Sequence, residues 1–270
     1  MYATSAEGAP ITALPAGWDA ATEYHRLKRV LPMPLRREVE RRAIHAIVTR
    51  ARDLLRHTNR PTHSVQDSFP ADGELNLEAT LLHRAEGRRH QVVVDRTEPR
   101  EADVVAVLDM SLSMTGEKIA LTALATAILG LSLDRIAVVS FDTIAHKLVD
   151  LGETLTTEEL VRRVLTVPAQ GYTNIAAGLR KTQGILQRSH RRERTAIVLT
   201  DGVANVGGNP VPIAGNLPKL HVVQVGPEEP RGAQLCRNLA TAGRGRHYRA
   251  PTYGELPAVV RRLVRECLRG

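Results

Sequence analysis

Three oxygen-bearing side chains close the stretch DVVAVLDMSLSMTGEK, where a run of small apolar residues stops at Asp109 and continues through Ser111 and Ser113. The apolar run reads as a buried strand, and a core has no use for a carboxylate and two hydroxyls at its end. Placed at alternate positions of a short connection, the three oxygens can converge on one point. One carboxylate with neutral hydroxyls, and no sulfur or imidazole, is the donor set of a hard cation: Mg²⁺ first, with Mn²⁺ or Ca²⁺ as substitutes. Taken alone, Asp109 or either serine could equally cap the following helix. Two other connections add to the set. Thr173 stands in AQGYTNIAAGL directly before a helical pattern, and Asp201 ends the strand-like RTAIVLTD before Gly202. Thr173 could be an N-cap and Asp201 a turn former. As a group, however, they reach the same edge from separate loops.

Other chemistries lack their residues. No glycine-rich loop ends in GK[ST], so a P-loop nucleotide site is excluded. Neither serine lies in a GxSxG elbow or beside a base, and no histidine stands in these motifs. His146 falls on an edge strand and His221 in or before a later strand, positions that suit ordinary hydrogen-bonded histidines. His190 and the following RRER read as a solvated helix end. GGNP, Gly207 to Pro210, is too short for a dinucleotide fingerprint and shapes a rim or a turn, as do Gly171 and Tyr172.

The elements that must hold these residues follow a regular rhythm from about Ala102. ADVVAVLD, DRIAVVSF, RTAIVLTD, KLHVVQVG and RHYRA read as strands, with TIAHKLVDL an antiparallel edge strand after a short turn. TGEKIALTALATAILGL, TTEELVRRVLTV, NIAAGLRKTQGILQRS, AQLCRNLATAG and YGELPAVVRRLVREC read as helices, the second opened by Thr156 and Glu159 in a capping-box pattern. The expected fold is α/β: a doubly wound, mostly parallel sheet with one antiparallel edge strand. Such sheets bind ligands at the carboxyl ends of their strands, where Asp109 and Asp201 both fall. With 43% hydrophobic but only 3% aromatic residues, the core must be built from Val, Leu, Ile and Ala.

DMSLSM, GYTNIAAGL and LTDG together resemble the metal-ion-dependent adhesion site of von Willebrand factor type A domains, over residues 101–270. The resemblance implies one divalent ion held directly by Ser111 and Ser113, by Thr173 directly or through water, and by Asp109 and Asp201 mostly through water. The family's usual glycine between the two serines is Leu112 here. If hydroxyls and waters fill most positions, the ion keeps positive charge and an open position for a carboxylate of another molecule. GELNLEATLLHR, VVVDRTEPREADVVAVLD and LTDGVANVGGNP further resemble CoxE-like proteins and the magnesium-chelatase D subunit, which work with AAA+ ATPases of the MoxR class. That likeness implies a non-enzymatic adaptor that grips an acidic residue of the ATPase or of a client protein during its assembly, activation or metal loading.

Upstream, residues 1–25 are expected to be a flexible N-terminus and 26–100 a basic helical and extended region. Val39, Ala43, Ile47, Ala51 and Leu54 or Leu55 recur at helical spacing, with Pro61 just beyond. GELNLEATLLHRAEG reads as a short helix, Gln91 to Val94 as an extra strand, and Pro99 as a boundary. Arg26 to Arg60 holds 11 Arg or Lys against 3 Asp or Glu, a local balance of +8, equal to the formal charge of the whole protein. The segment is either a docking surface or a solvated helix face. The pI near 10.0 permits anionic partners. The sequence has no basic patch interleaved with aromatics and no paired-cysteine zinc spacing, which argues against nucleic acid. Cys236 and Cys267 read as small buried residues. The N-terminus lacks a signal-peptide pattern, and IALTALATAILGLSL is too short and hydroxyl-rich to span a bilayer, so the expected location is the cytoplasm. The competing readings are a Mg²⁺-dependent phosphoryl-transfer or hydrolytic enzyme, for which DMSLS lacks the second aspartate of a phosphoaspartate site, and a nucleic-acid accessory protein that uses the basic helix.

Overall fold

The computed structural model describes residues 14–56, 62–67, 74–88, 91–99, 102–114, 116–226 and 229–267. Two helices, α1 (Gly17–Leu27) and α2 (Met33–Leu55), come first. A small antiparallel unit follows: β1 (Thr62–Asp67), β2 (Glu74–Leu75), α3 (Leu77–Ala85) and β3 (Val94–Pro99), with strand order β1-β3-β2. The main sheet then builds from β4 (Ala102–Asp109), α4 (Glu117–Ser132), β5 (Arg135–Phe141), β6 (Ala145–Val149), α5 (Thr157–Thr166), α6 (Ile175–Leu186) and β7 (Glu193–Thr200). It is completed by α7 (Val211–Gly215), β8 (Leu220–Val225), α8 (Pro230–Ala242), β9 (His247–Ala250) and α9 (Leu256–Cys267).

The six strands lie in the order β6-β5-β4-β7-β8-β9, all parallel except β6, which runs antiparallel to β5 at the edge. This is the doubly wound sheet the alternation predicts. The chain winds outward from β4 to β6, then returns to lay β7 on the other side of β4, so the strand order reverses between β4 and β7. Burial on both faces explains why β4 is apolar throughout. Val104, Ala106 and Leu108 face the core under α4, α5 and α9, while Val105 and Val107 face the one under α6 and α8.

Helix α4 is the unusual element. Its residues from Ile119 to Leu129 are all buried, whereas a helix on an outer layer normally keeps a polar face. The cover comes from α1 and α2: Tyr24, Val39, Ala43, Ile47 and Ala51 share one continuous core with Ile119, Leu124 and Ile128. The three hydroxyls in this apolar helix are satisfied locally, Thr122 donating to the Lys118 carbonyl (2.9 Å), Thr126 to that of Thr122 (2.8 Å) and Ser132 to that of Ile128 (2.7 Å).

Several expectations need correction. The stretch expected to be flexible as far as residue 25 includes most of α1, whose Ala20, Ala21, Tyr24 and His25 are buried; residues 1–13 lie outside the described residues. Within the basic region, α2 packs into the main core through Val39, Ala43, Ile47 and Ala51. The strand expected at Gln91 to Val94 runs instead from Val94 to Pro99, where pairing with β1 defines it. The expected boundary at Pro99 is therefore the last residue of a strand. Helix α7 and strands β1 and β2 were not anticipated.

Candidate functional site

Asp109 is the last residue of β4 and is fully buried. Its carboxylate accepts two hydrogen bonds: Oδ1 from the Ser111 backbone N–H (3.0 Å) and Oδ2 from the Thr200 hydroxyl (2.7 Å). The second crosses from β4 to β7 and fixes the carboxylate at the switch point of the sheet. Beyond Asp109 the chain is pinned by two methionines, Met110 and Met114, each 1% exposed. Between them Ser111 Oγ lies 3.2 Å from Ser113 Oγ, and Ser113 Oγ donates to Asp201 Oδ2 at 3.3 Å. Asp201 Oδ1 in turn accepts from the Val203 N–H at 3.1 Å. Asp109 is thus tied to Ser111 through backbone, and the side-chain oxygens of Ser111, Ser113 and Asp201 form one run across two loops.

The two capping alternatives do not hold. Helix α4 begins after Gly116 with no side-chain cap, so none of Asp109, Ser111 and Ser113 serves it. Asn174 caps α6, accepting from the Ala177 N–H at 3.0 Å, which leaves the neighbouring Thr173 hydroxyl out of the cap. Thr173 is buried, and its links to the others run through backbone. Its carbonyl accepts from the Asn205 and Val206 N–H groups (3.0 and 3.4 Å), past Asp201, and the adjacent Gly171 carbonyl accepts from Leu112 N–H (3.3 Å). Among the described residues the Thr173 hydroxyl makes no direct hydrogen bond to the other four site residues.

Two glycines permit this close approach. Gly171 has φ +71°, and a Cβ there would sit 2.6 Å from Thr143 Oγ1. At Gly207, φ +92°, a Cβ would fall 1.8 Å from Asn174 Oδ1. GGNP is therefore part of the rim, held against the residue that caps α6.

The electrostatics lack one component. Burial, opposed by the hydrogen bonds from Ser111 and Thr200 and reinforced by the charge of Asp201, pushes Asp109 up to about 6. Among the described residues no Lys, Arg or His pairs with Asp109 or Asp201. The fully buried Asp103, at the opposite end of β4, differs: it has Arg135 Nε at 2.7 Å and the Ser189 hydroxyl at 2.6 Å. A divalent ion would supply the positive charge that the loops withhold. Among the described residues no three of His, Cys, Asp and Glu are grouped to hold a metal, so a cation here must draw on hydroxyls, as a hard ion does.

Sequence reasoning missed Thr200, Asn174 and the turn residues Asp142 and Thr143. The Asp142 carbonyl accepts from Asn174 N–H (2.9 Å), and Thr143 Oγ1 accepts from Tyr172 N–H (2.9 Å), so the β5–β6 turn braces the loop that carries Thr173. An Asp-Thr pair directly after a strand, at the same edge as the other donors, was the available signal. His221, in β8, accepts from the Arg246 N–H (3.1 Å), and His146 lies on the edge strand β6. Cys236 is buried behind the Asp201 loop, and burial with the nearby Asp201 charge pushes its thiol up to about 12; the side chain of Cys267 lies outside the described residues.

Comparison with known proteins agrees with this architecture. No curated protein matches the chain. Among solved structures, BatB from Bacteroides thetaiotaomicron is 17% identical, with 63% of this chain and all of that one covered, at a TM-score of 0.51. A von Willebrand factor type A protein from Catenulispora acidiphila is also 17% identical, covering 77% of this chain and 50% of that one, at a TM-score of 0.55. Proximal thread matrix protein 1 from the mussel byssus, solved with zinc in its metal-ion-dependent adhesion motif, is 18% identical over 62% of this chain and 48% of its own, at a TM-score of 0.53. At these identities the likeness concerns the fold. Residues 104–203, which carry all five candidate site residues, match the von Willebrand factor type A domain family.

Proposed function

We propose that this protein is a metal-dependent protein-binding module: a divalent ion, held by Ser111, Ser113 and Thr173 with Asp109 and Asp201 as charge partners, grips a carboxylate of another protein. The observation that carries this reading is the buried Asp109 carboxylate, which accepts hydrogen bonds yet has no cationic side chain among the described residues. Burying a charge without a counter-charge is costly. The loops around it supply oxygens and no cation, a composition that suits Mg²⁺, with Mn²⁺ or Ca²⁺ as substitutes. The bound ion supplies an electrophilic position that a partner's carboxylate can occupy.

The role is binding and not catalysis. A hydrolytic or phosphoryl-transfer enzyme would need a base or a phosphate-binding cation beside the ion, and among the described residues the five candidates contact hydroxyls, carboxylates and backbone. The resemblance of the GELNLEATLLHR and LTDGVANVGGNP segments to CoxE-like and chelatase D proteins makes a MoxR-class AAA+ ATPase in the cytoplasm the expected partner, acting with this chain on a client protein. Among the described residues no helix is long and apolar enough to cross a membrane.

The test is affinity purification of the wild-type chain and of the Asp109→Ala, Ser111→Ala double variant, each with Mg²⁺ and with chelator. An ATPase or an acidic client should be retained only by the wild type in Mg²⁺. Recovery of the same partners in all four conditions would overturn metal-mediated adhesion. A metal-dependent partner set without any ATPase would remove the MoxR assignment alone.

A further inference from the structure

We propose that the cation site is the centre of an apolar docking face, and that its partner is a protein segment presenting an Asp or Glu flanked by aliphatic or aromatic side chains. This inference rests on the reading of the site as a carboxylate-gripping cation centre. It specifies what must surround the carboxylate.

Four large apolar side chains project from four connections at this end of the sheet. Leu112 is 67% exposed, Tyr172 64%, Ile144 58% and Val203 38%. Two hydrogen bonds join these loops, and two more fix turns within them. Leu112 N–H donates to the Gly171 carbonyl (3.3 Å), and Tyr172 N–H donates to Thr143 Oγ1 (2.9 Å). Ile144 N–H donates to Asp142 Oδ1 (2.9 Å), and Val203 N–H donates to Asp201 Oδ1 (3.1 Å). Leu112 is the clearest case. Its neighbours Met110 and Met114 are drawn into the core while it is turned outward between the two serines. An aliphatic residue held outward by such a fixed loop loses little freedom when a partner covers it.

Charge gives an independent observation. Residues 110–114, 143–145, 167–174 and 202–210 contain no Asp, Glu, Lys or Arg among their 25 positions, although a chain with 24% charged residues would place about six there. Depletion of charge with exposed aromatic and aliphatic residues marks the centre of a protein interface. Within these four segments the bound ion would be the strong charge, flanked by its counter-charges Asp109 and Asp201 and by the largely buried Asp142, so complementarity calls for a single negative group at the ion, in apolar surroundings. A second copy of this chain is a poor occupant, because it would bring another cation against the first.

The test uses full-length protein and displayed heptapeptides with a fixed central aspartate and six randomised positions, selected in Mg²⁺. Selected peptides should carry Leu, Ile, Phe or Tyr beside the aspartate, and the best of them should bind about tenfold more weakly to Leu112→Ser and to Tyr172→Ser. Both side chains are mostly exposed, so circular dichroism should show unchanged folding, and Ile144→Ser provides a third variant if either fails. Calorimetry with Mg²⁺ alone reports on the cation shell of each variant. Metal-dependent peptides with polar or charged neighbours, or rim variants within twofold of wild type, would overturn the docking face and leave the cation reading intact. No selectable peptide despite measured Mg²⁺ binding would overturn it as well. Equal binding of asparagine-centred peptides, or binding unchanged by chelator, would remove the cation reading itself and this inference with it.

Discussion

At the scale of single residues, Asp109 is held in two ways that oppose each other. Thr200 and the Ser111 N–H favour its charged form, while full burial and the charge of Asp201 disfavour it more, and the balance raises it to about 6. A carboxyl whose folded value lies above its unfolded one contributes stability that is full below about pH 4 and lost as pH rises through about 6. The shift corresponds to about 3 kcal/mol. Metal-free protein should therefore melt at lower temperature at pH 7.5 than at pH 5, and Mg²⁺ should restore the difference at the higher pH, which calorimetric melting with and without chelator will show. Asp109→Asn keeps the shape and removes the charge; at pH 7.5 it should melt at or above the metal-free wild type and lose the Mg²⁺-dependent increase. The oxygen donors themselves were legible in the sequence, because DMSLSM, Thr173 and Asp201 sit at the ends of recognisable elements. Thr200 was not legible. At the end of an apolar strand it reads as one more buried β-branched residue, and only the pairing of β4 with β7 turns its hydroxyl toward Asp109.

At the scale of elements, the loop that carries Thr173 is anchored from behind by α1. His25 Nε2 accepts from Ala169 N–H at 3.2 Å, and Lys28 Nζ donates to the Leu165 and Val167 carbonyls at 3.0 and 3.1 Å. Burial and the neighbouring Lys28 and Arg29 depress His25 to about 4, against an opposing backbone hydrogen bond at Val167. Its neutral form is the one that docks, so this contribution is complete above about pH 6.5 and declines as pH falls through about 4. The protection of the Ala169 amide, its exchange rate compared with the intrinsic rate at the same pH, should fall across that range in wild type and be low throughout in His25→Ala. Within the same loop system, Gly207→Ala combines a positive φ with a clash against the Asn174 cap, and should cost more than about 1 kcal/mol in a denaturant titration. Helix α1 was hard to read because its entry residue Ala16 offers no side-chain cap and its buried face consists largely of two alanines and a tyrosine. Strand β3 was misplaced because VDRTEP has no apolar run to announce it; its existence depends on β1, which lies remote in sequence.

At the scale of the molecule, the apolar stretch within α4 already held the answer to how the parts are joined. A helix without a polar face needs cover on every side. The strand and helix alternation accounts for the sheet beneath it, and α5 and α9 for its flanks. What remained was a third neighbour, which α2 supplies through Val39, Ala43, Ile47 and Ala51, all at 0% exposure. The spacing of those residues was visible in the sequence, but their target was not, because periodicity reports that a face is buried and never against what. A chain that begins at residue 101 should therefore expose the outer side of α4 and aggregate or remain molten, with weak near-ultraviolet circular dichroism, whereas the full chain should give one sharp melting transition. The burial of α4 has a mechanical consequence too. A helix wedged between a sheet and a second layer of helices has no free side along which to slide or roll, and the loop at its N-terminal end carries Ser111 and Ser113. The two serines are thus mounted next to a helix held by packing on every side, so their spacing is built into the core and not left to the loop.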